Sequence, residues 1–232
     1  MNSSPNPSIL ALIPAYNESR HIADVIRQTR TRLPVLVIDD GSTDNTAQAA
    51  EGAGAEVVRQ QPNQGKGAAL LRGFREALAR GCEAVVMLDA DGQHDPAEIS
   101  HFLARYQHTK ADLIIGQREF RYMPRLRRTT NTFGTWVFST IVGQHIPDNQ
   151  SGYRLLSRRM MEATLTSDET NFEFEVDMIV QCIRRGYRLE WVPIRTIYGD
   201  EKSHIKPLRH ALHFVRIMAK SYRDVRRKVE EK

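Results

Sequence analysis

The 232-residue sequence predicts an α/β protein, a single domain with a mostly parallel central sheet and helices on both faces. Three observations carry that expectation. Short apolar runs alternate with segments of helical periodicity. The runs are apolar throughout rather than at every second position. Polar clusters follow the ends of three of them. A strand that is apolar on both faces must be covered on both faces, as in a parallel sheet between helical layers.

Ile9–Ile13 reads as the first strand, ending at Pro14. A helix follows from about Ser19, with Ile22, Val25 and Ile26 on one face. Pro34–Ile38 is the second strand and Asp39-Asp40-Gly41-Ser42 the turn after it. Thr43–Glu51 is the next helix, with Thr43 or Asp44 near its cap, and Ala55–Arg59 the third strand. Gly52-Ala53-Gly54 precedes that strand and reads as a turn. Ala68–Arg80 is amphipathic through Leu70, Leu71, Phe74 and Leu78. Ala84–Leu88 is a strand broken by Asp89-Ala90-Asp91, Pro96–Tyr106 a helix and Asp112–Ile115 a strand. Residues 1–8 are expected to be disordered, 9–206 to form the single domain, and 207–232 a basic amphipathic helix.

The net charge of +5 leaves the partner class open, although basic residues concentrate in Arg118–Arg128, Arg154–Arg159 and the tail. Nothing points to nucleic acid. Cys82 and Cys182 make no metal motif and are expected to be buried thiols in a cytoplasmic protein. No apolar run approaches the ~20 residues of a membrane-spanning helix. Phe133–Val142 comes nearest and is too short. Any membrane contact is therefore expected to be peripheral.

Ligands of parallel sheets lie at the carboxyl ends of the strands, which is where the polar clusters fall. In Asp89-Ala90-Asp91, residues i and i+2 point to the same side, so both carboxylates can face one hard cation, Mg²⁺ or Mn²⁺, with diphosphate oxygens completing its shell. Gln93 can add an amide oxygen. A surface turn offers such a triplet too; position after an apolar strand favours the metal. In Pro14-Ala15-Tyr16-Asn17-Glu18, Tyr16 offers a face to a nucleobase, while Glu18 and Asp40 offer acceptors; a capped strand–helix turn explains the stretch equally well. Asn63-Gln64-Gly65-Lys66-Gly67 can bring backbone N–H groups and an ammonium to phosphate, or be a flexible turn. It is not a Walker loop, since Gly67 stands where Ser or Thr would follow Lys66.

LIPAYNES, VIDDGSTDNT, NQGKGAAL, MLDADGQHDP, NQSGYRLLSRR and YGDEKSHIKPL, in this order from Leu12 to Leu208, resemble glycosyltransferase family 2, especially its dolichyl-phosphate mannose synthase-like branch. The resemblance implies a GT-A fold and inverting hexosyl transfer. It implies a metal on Asp89 and Asp91 with Gln93. It also implies a nucleotide pocket lined by Pro14, Ala15, Tyr16, Glu18, Asp40, Ala90 and Lys66, with Lys202 and His204 closing the site. The donor would be GDP-mannose or UDP-glucose.

The acceptor decides the chemistry. A sugar hydroxyl needs a general base, for which Asp148 is the candidate. A phosphate monoester, with second pKa near ~6, is already mostly dianionic and needs cations instead. Arginine suits that task through its planar fork, and Arg118, Arg128 and Arg154 are the expected clamp on a lipid phosphate. A solvated basic loop is the plain alternative, and with a phosphate acceptor Asp148→Asn is expected to be mild. In the tail, Leu208, Leu212, Val215 and Tyr222 recur beside Arg209, Arg216 and Arg223, a pattern suited either to a membrane interface or to a packed helix. Two other readings stand beside the lipid-phosphate transferase: a family 2 enzyme acting on a hydroxyl acceptor, and a degenerate nucleotide-binding relative.

Overall fold

The computed structural model describes residues 8–118, 125–166 and 174–195; at 125–128, 130 and 131 only the helical backbone is described. The expected 1–8 and 207–232 segments, apart from Ser8, lie outside these residues, as do Lys202 and His204.

Seven strands form one sheet in the order β3-β2-β1-β4-β6-β5-β7. They are β1 (Ile9–Ala15), β2 (Val35–Asp39), β3 (Glu56–Arg59), β4 (Ala84–Met87), β5 (Leu113–Arg118), β6 (Arg154–Ser157) and β7 (Leu189–Ile194). All neighbours are parallel except β6, which runs antiparallel between β4 and β5. The helices are α1 (Ile22–Thr29), α2 (Thr46–Gly52), α3 (Lys66–Ala79), α4 (Ile99–Thr109), α5 (Arg125–Val142), α6 (Arg158–Thr164) and α7 (Phe174–Arg184).

Side chains alternate along each strand, so the sheet feeds two cores. Leu10, Leu12, Val85 and Met87 face α3, α6 and α7, packing on Leu70, Phe74, Met160 and Ile179. Ala11, Ile13, Val86 and Leu88 face the opposite layer, meeting Ile22 and Ile26 of α1 and Ile99 and Phe102 of α4. Each fully buried Leu, Ile or Phe contributes about 1.5–3 kcal/mol of transfer free energy. This is why the strands read as continuous apolar runs.

Three local differences from the expectation have physical causes. β1 continues through Pro14 because its pairing with β4 ends at Leu12, so the missing N–H faces no ladder. α1 begins at Ile22 rather than Ser19, since the Glu18 carbonyl accepts from both His21 N and Ile22 N in a preceding turn. The helix expected from Pro96 opens as a 3-10 turn over Pro96–Glu98, where Asp95 caps Ala97 N at 2.9 Å.

Cys82 and Cys182 are both fully buried. Burial pushes both thiols up, Cys182 to about 12, with Asp112 adding to the rise there. Only the thiolate is a nucleophile. At pH 8 the native protein should therefore resist iodoacetamide at both positions, and both should alkylate in denaturant. Rapid native labelling of either would contradict this packing.

Candidate active site

β1 and β4 are neighbours, yet β2 and β3 lie beyond one and β6, β5 and β7 beyond the other. Such a reversal opens a crevice beyond the carboxyl ends of the strands, and the β1, β2 and β4 ends place Tyr16, Asp40 and Asp89 around it.

The loops at this rim are stitched together by their own polar groups. Asn17 takes a left-handed backbone (φ 56°), which Asn tolerates better than most residues. Its N–H donates to Ser42 Oγ (3.0 Å) and its Oδ1 accepts from Thr43 N (2.9 Å). Glu18 N donates to Thr46 Oγ1 at 2.8 Å. Tyr16 projects from this frame 47% exposed, its ring open to a planar partner. Pro14 is half-buried, Ala15 buried and Glu18 half-buried.

Asp40 does not fit its expected place as an open acceptor. It is buried, and it accepts from Gln60 Nε2 (2.6 Å), Gln64 N (2.9 Å) and Gly65 N (2.8 Å). Its role here is to build the loop that delivers Lys66 to the start of α3.

Lys66 Nζ lies 2.6 Å from Asp89 Oδ1 and 3.1 Å from Glu175 Oε1. Desolvation opposes the ammonium, but these two carboxylates outweigh it and hold Lys66 well above the ordinary lysine range. Desolvation likewise works against the Asp89 carboxylate, yet Lys66 and the charges around it bring Asp89 down to about 2. Asp89 is therefore ionised, as a hard cation requires. Gly92 (φ +77°) turns the chain after Ala90-Asp91, and Gln93 N donates to Asp91 Oδ1 at 2.9 Å. The Asp89 N–H donates to His94 Nδ1 at 3.1 Å. Burial lowers the His94 imidazole to about 4, against the pull of Asp89, which keeps that nitrogen free to accept.

These residues fit a divalent ion. No group of three or more His, Cys, Asp or Glu side chains forms a complete cage among the described residues. One or two carboxylates that leave room for phosphate oxygens are the usual arrangement for Mg²⁺. Gly152 keeps that room: a Cβ there would lie 2.9 Å from Asp89 Oδ2 and 3.1 Å from Lys66 Nζ. Nearby, the buried Asn149 Nδ2 and Ser151 Oγ find no partner among the described residues.

The expected acceptor clamp is corrected at Arg154. Its guanidinium is completely buried and donates to the carbonyls of Ser151 (2.8 Å), Asn149 (3.4 Å) and Glu175. Burial lowers it to about 10, against the attraction of Glu175 and Asp148, so it stays charged at neutral pH. It fastens the 149–151 loop to α7 and has no exposed atom. Arg118, at the end of β5, forms a two-point pair with Asp148 through Nε (2.7 Å) and Nη2 (2.9 Å). Asp148 is fully buried, which leaves no exposed carboxylate oxygen to serve as a base and ties its substitution to the fold. The Arg128 side chain lies outside the described residues.

Glu175 and His94 were missed by sequence reasoning. Glu175 has a faint signal as a carboxylate inside the apolar stretch FEFEVDMIV. Nothing in the sequence ties it to Lys66, more than a hundred positions earlier.

Comparison with known proteins identifies the family and the fold. Residues 11–167 match the profile described as Glycosyl transferase family 2. The chain is 40% identical over 199 residues to Glycosyltransferase AglJ of Haloferax volcanii, covering 82% of this chain and 63% of that protein. It thus spans less than two thirds of that relative. It is 32% identical to the polyprenol monophosphomannose synthase of Mycolicibacterium smegmatis, over 82% of this chain and 77% of the other. Among solved structures, glucosyl-3-phosphoglycerate synthase from Mycobacterium tuberculosis, in complex with Mn²⁺, UDP and phosphoglyceric acid, superposes with a TM-score of 0.72. That match covers 94% of this chain and 78% of the other at 20% identity, which supports the GT-A fold alone.

Proposed function

We propose that this chain, which belongs to glycosyl transferase family 2, moves a hexose with inversion from a nucleoside diphosphate sugar to a polyprenyl phosphate. The observation that carries the choice of acceptor is the state of the carboxylates. Asp148 is sealed in its pair with Arg118, Glu175 is held by Lys66, and Asp89 belongs to the diphosphate end of the site. A phosphate acceptor needs none of them as a base, because its dianion attacks without losing a proton. The similarity to a polyprenol monophosphomannose synthase supports the same reading.

In this reading Tyr16 stacks on the base and the α3 start, with Lys66, faces the diphosphate. Asp89 and Asp91, with Gln93, would hold Mg²⁺ or Mn²⁺, and the ion would supply Lewis-acid stabilisation of the diphosphate. An acceptor phosphate oxygen bonds to the anomeric carbon from the face opposite the leaving group. The bond from that carbon to the diphosphate oxygen breaks, and its electron pair leaves with the nucleoside diphosphate. Lys66, kept protonated by its two carboxylates, is placed to offset the charge on that diphosphate. Lys202, His204 and Arg128 remain proposed contacts from the segments and side chains outside the description.

The test is transfer by the purified protein from GDP-mannose and from UDP-glucose, each with and without a polyprenyl phosphate. A hexosyl phosphate lipid from one donor is expected; transfer only to hydroxyl acceptors would overturn the reading. Tyr16→Ala should weaken binding of the productive nucleotide by about 1–3 kcal/mol, as loss of base stacking does. Unchanged calorimetric affinity would put the base elsewhere.

A further inference from the structure

Lys66 stands where a helix least favours a cation. It is the first residue of α3, at the positive end of the helix dipole, and the first turn of that helix carries no acidic residue. Two carboxylates from distant parts of the chain hold it instead. Its Nζ lies 2.6 Å from Asp89 Oδ1 and 3.1 Å from Glu175 Oε1. One of these, Asp89, also fits a divalent ion. The ammonium and such an ion therefore claim the same carboxylate, and at that range their like charges repel.

The surroundings decide which partner yields. Asp89 is fixed through its backbone, whose N–H donates to His94 Nδ1 at 3.1 Å. Glu175 is fixed through its carbonyl, which accepts from the fully buried Arg154, and its side chain is 14% exposed. The same guanidinium donates to the Ser151 carbonyl at 2.8 Å. The next residue is Gly152, where a Cβ would lie 3.1 Å from Lys66 Nζ, so the loop leaves the ammonium its space. Lysine carries its charge on a flexible four-carbon stem, and the Lys66 side chain is 42% exposed. The ammonium is the member that can move, and Glu175 is the seat that stays.

We propose that Lys66 is a tethered competitor for the Asp89 carboxylate, and that Glu175 is a positioning residue that keeps the ammonium when a divalent ion takes Asp89. Lys66 then exchanges Asp89 for the donor diphosphate, so ion and diphosphate bind cooperatively. The exchange rests on the function proposed above; the competition at Asp89 needs only the ion.

The probe is Mn²⁺, titrated into the full chain and followed by the electron paramagnetic resonance of the unbound ion, without nucleotide and with saturating GDP or UDP. Lys66→Met should raise the affinity for Mn²⁺ alone by roughly tenfold or more, because it removes the competing charge beside Asp89. Glu175→Gln should lower it about tenfold, because the ammonium then rests on Asp89 alone. Simple loss of structure would weaken both variants, so the opposite signs are diagnostic. In the Lys66→Met background, Glu175→Gln should change the affinity by less than about threefold. An undiminished loss there would make Glu175 a metal ligand and overturn its role as a seat. Either nucleotide that binds should tighten Mn²⁺ binding more in the native chain than in Lys66→Met. Circular dichroism should match the native spectrum throughout, and Lys66→Gln repeats the measurement if Lys66→Met fails to fold. Unchanged or lowered Mn²⁺ affinity in a folded Lys66 variant would overturn the competition and leave the proposed function standing. A native chain that binds no Mn²⁺ with either nucleotide would overturn both. Failure of transfer to every polyprenyl phosphate, alongside the opposite shifts in Mn²⁺ affinity, would remove the proposed acceptor and leave the competition in place.

Discussion

Asp91→Asn should abolish most turnover while leaving the fold in place. The Asp91 carboxylate accepts the Gln93 N–H through Oδ1, and an asparagine side-chain carbonyl can accept the same bond, so the turn after β4 should survive. In the proposed function the lost element is one negative charge from the set that would hold a divalent ion against the diphosphate. Removing one such preorganised electrostatic contact typically lowers kcat by about 10²–10³. Asp89→Asn is the less clean experiment, because Asp89 also pairs with Lys66. Chelator should silence the native enzyme, and Mg²⁺ or Mn²⁺ should restore it. Full turnover by Asp91→Asn, with transfer unaffected by chelator, would remove the metal from the account.

The second large effect is structural. Asp148→Asn leaves Arg118, itself only 13% exposed at the side chain, facing a neutral partner where it had a two-point ionic one. Breaking a buried pair from one side typically costs about 3–5 kcal/mol, and for a chain of this size each kcal/mol moves Tm by roughly 2–4 °C. A fall of about 10 °C is expected. Any loss of transfer by this variant should track the fraction unfolded and largely recover at low temperature, because the proposed phosphate acceptor needs no base. A variant of native stability with turnover reduced ~10²-fold or more would restore Asp148 as a general base.

The first half of the fold was legible because its strands are buried on both faces and its helices carry their apolar residues at helical spacing. β6 was not. Four residues, Arg154–Ser157, enter the sheet antiparallel, and a run that short carries no sign of direction. The acidic strand ends were legible as a rim, since i and i+2 geometry is local. What each side chain does there was less so. Asp40 looked like a ligand residue and is a loop organiser, because its partners Gln60, Gln64 and Gly65 lie about twenty positions away. Arg154 looked like a phosphate clamp because arginine is seldom fully buried. Its interior position follows from three carbonyls supplied by a loop and a helix end, a convergence that exists only after folding. Glu175 escaped notice for the same reason.

The central claim is that the nucleophile is a phosphate oxygen. Its most direct test pairs a polyprenyl phosphate with the same polyprenol lacking phosphate, with Mg²⁺ present and the productive donor saturating. Transfer is predicted to the phosphate alone, giving a sugar–phosphate linkage with inverted anomeric configuration. Transfer to the alcohol or to a sugar hydroxyl, with the polyprenyl phosphate inert, would contradict the account.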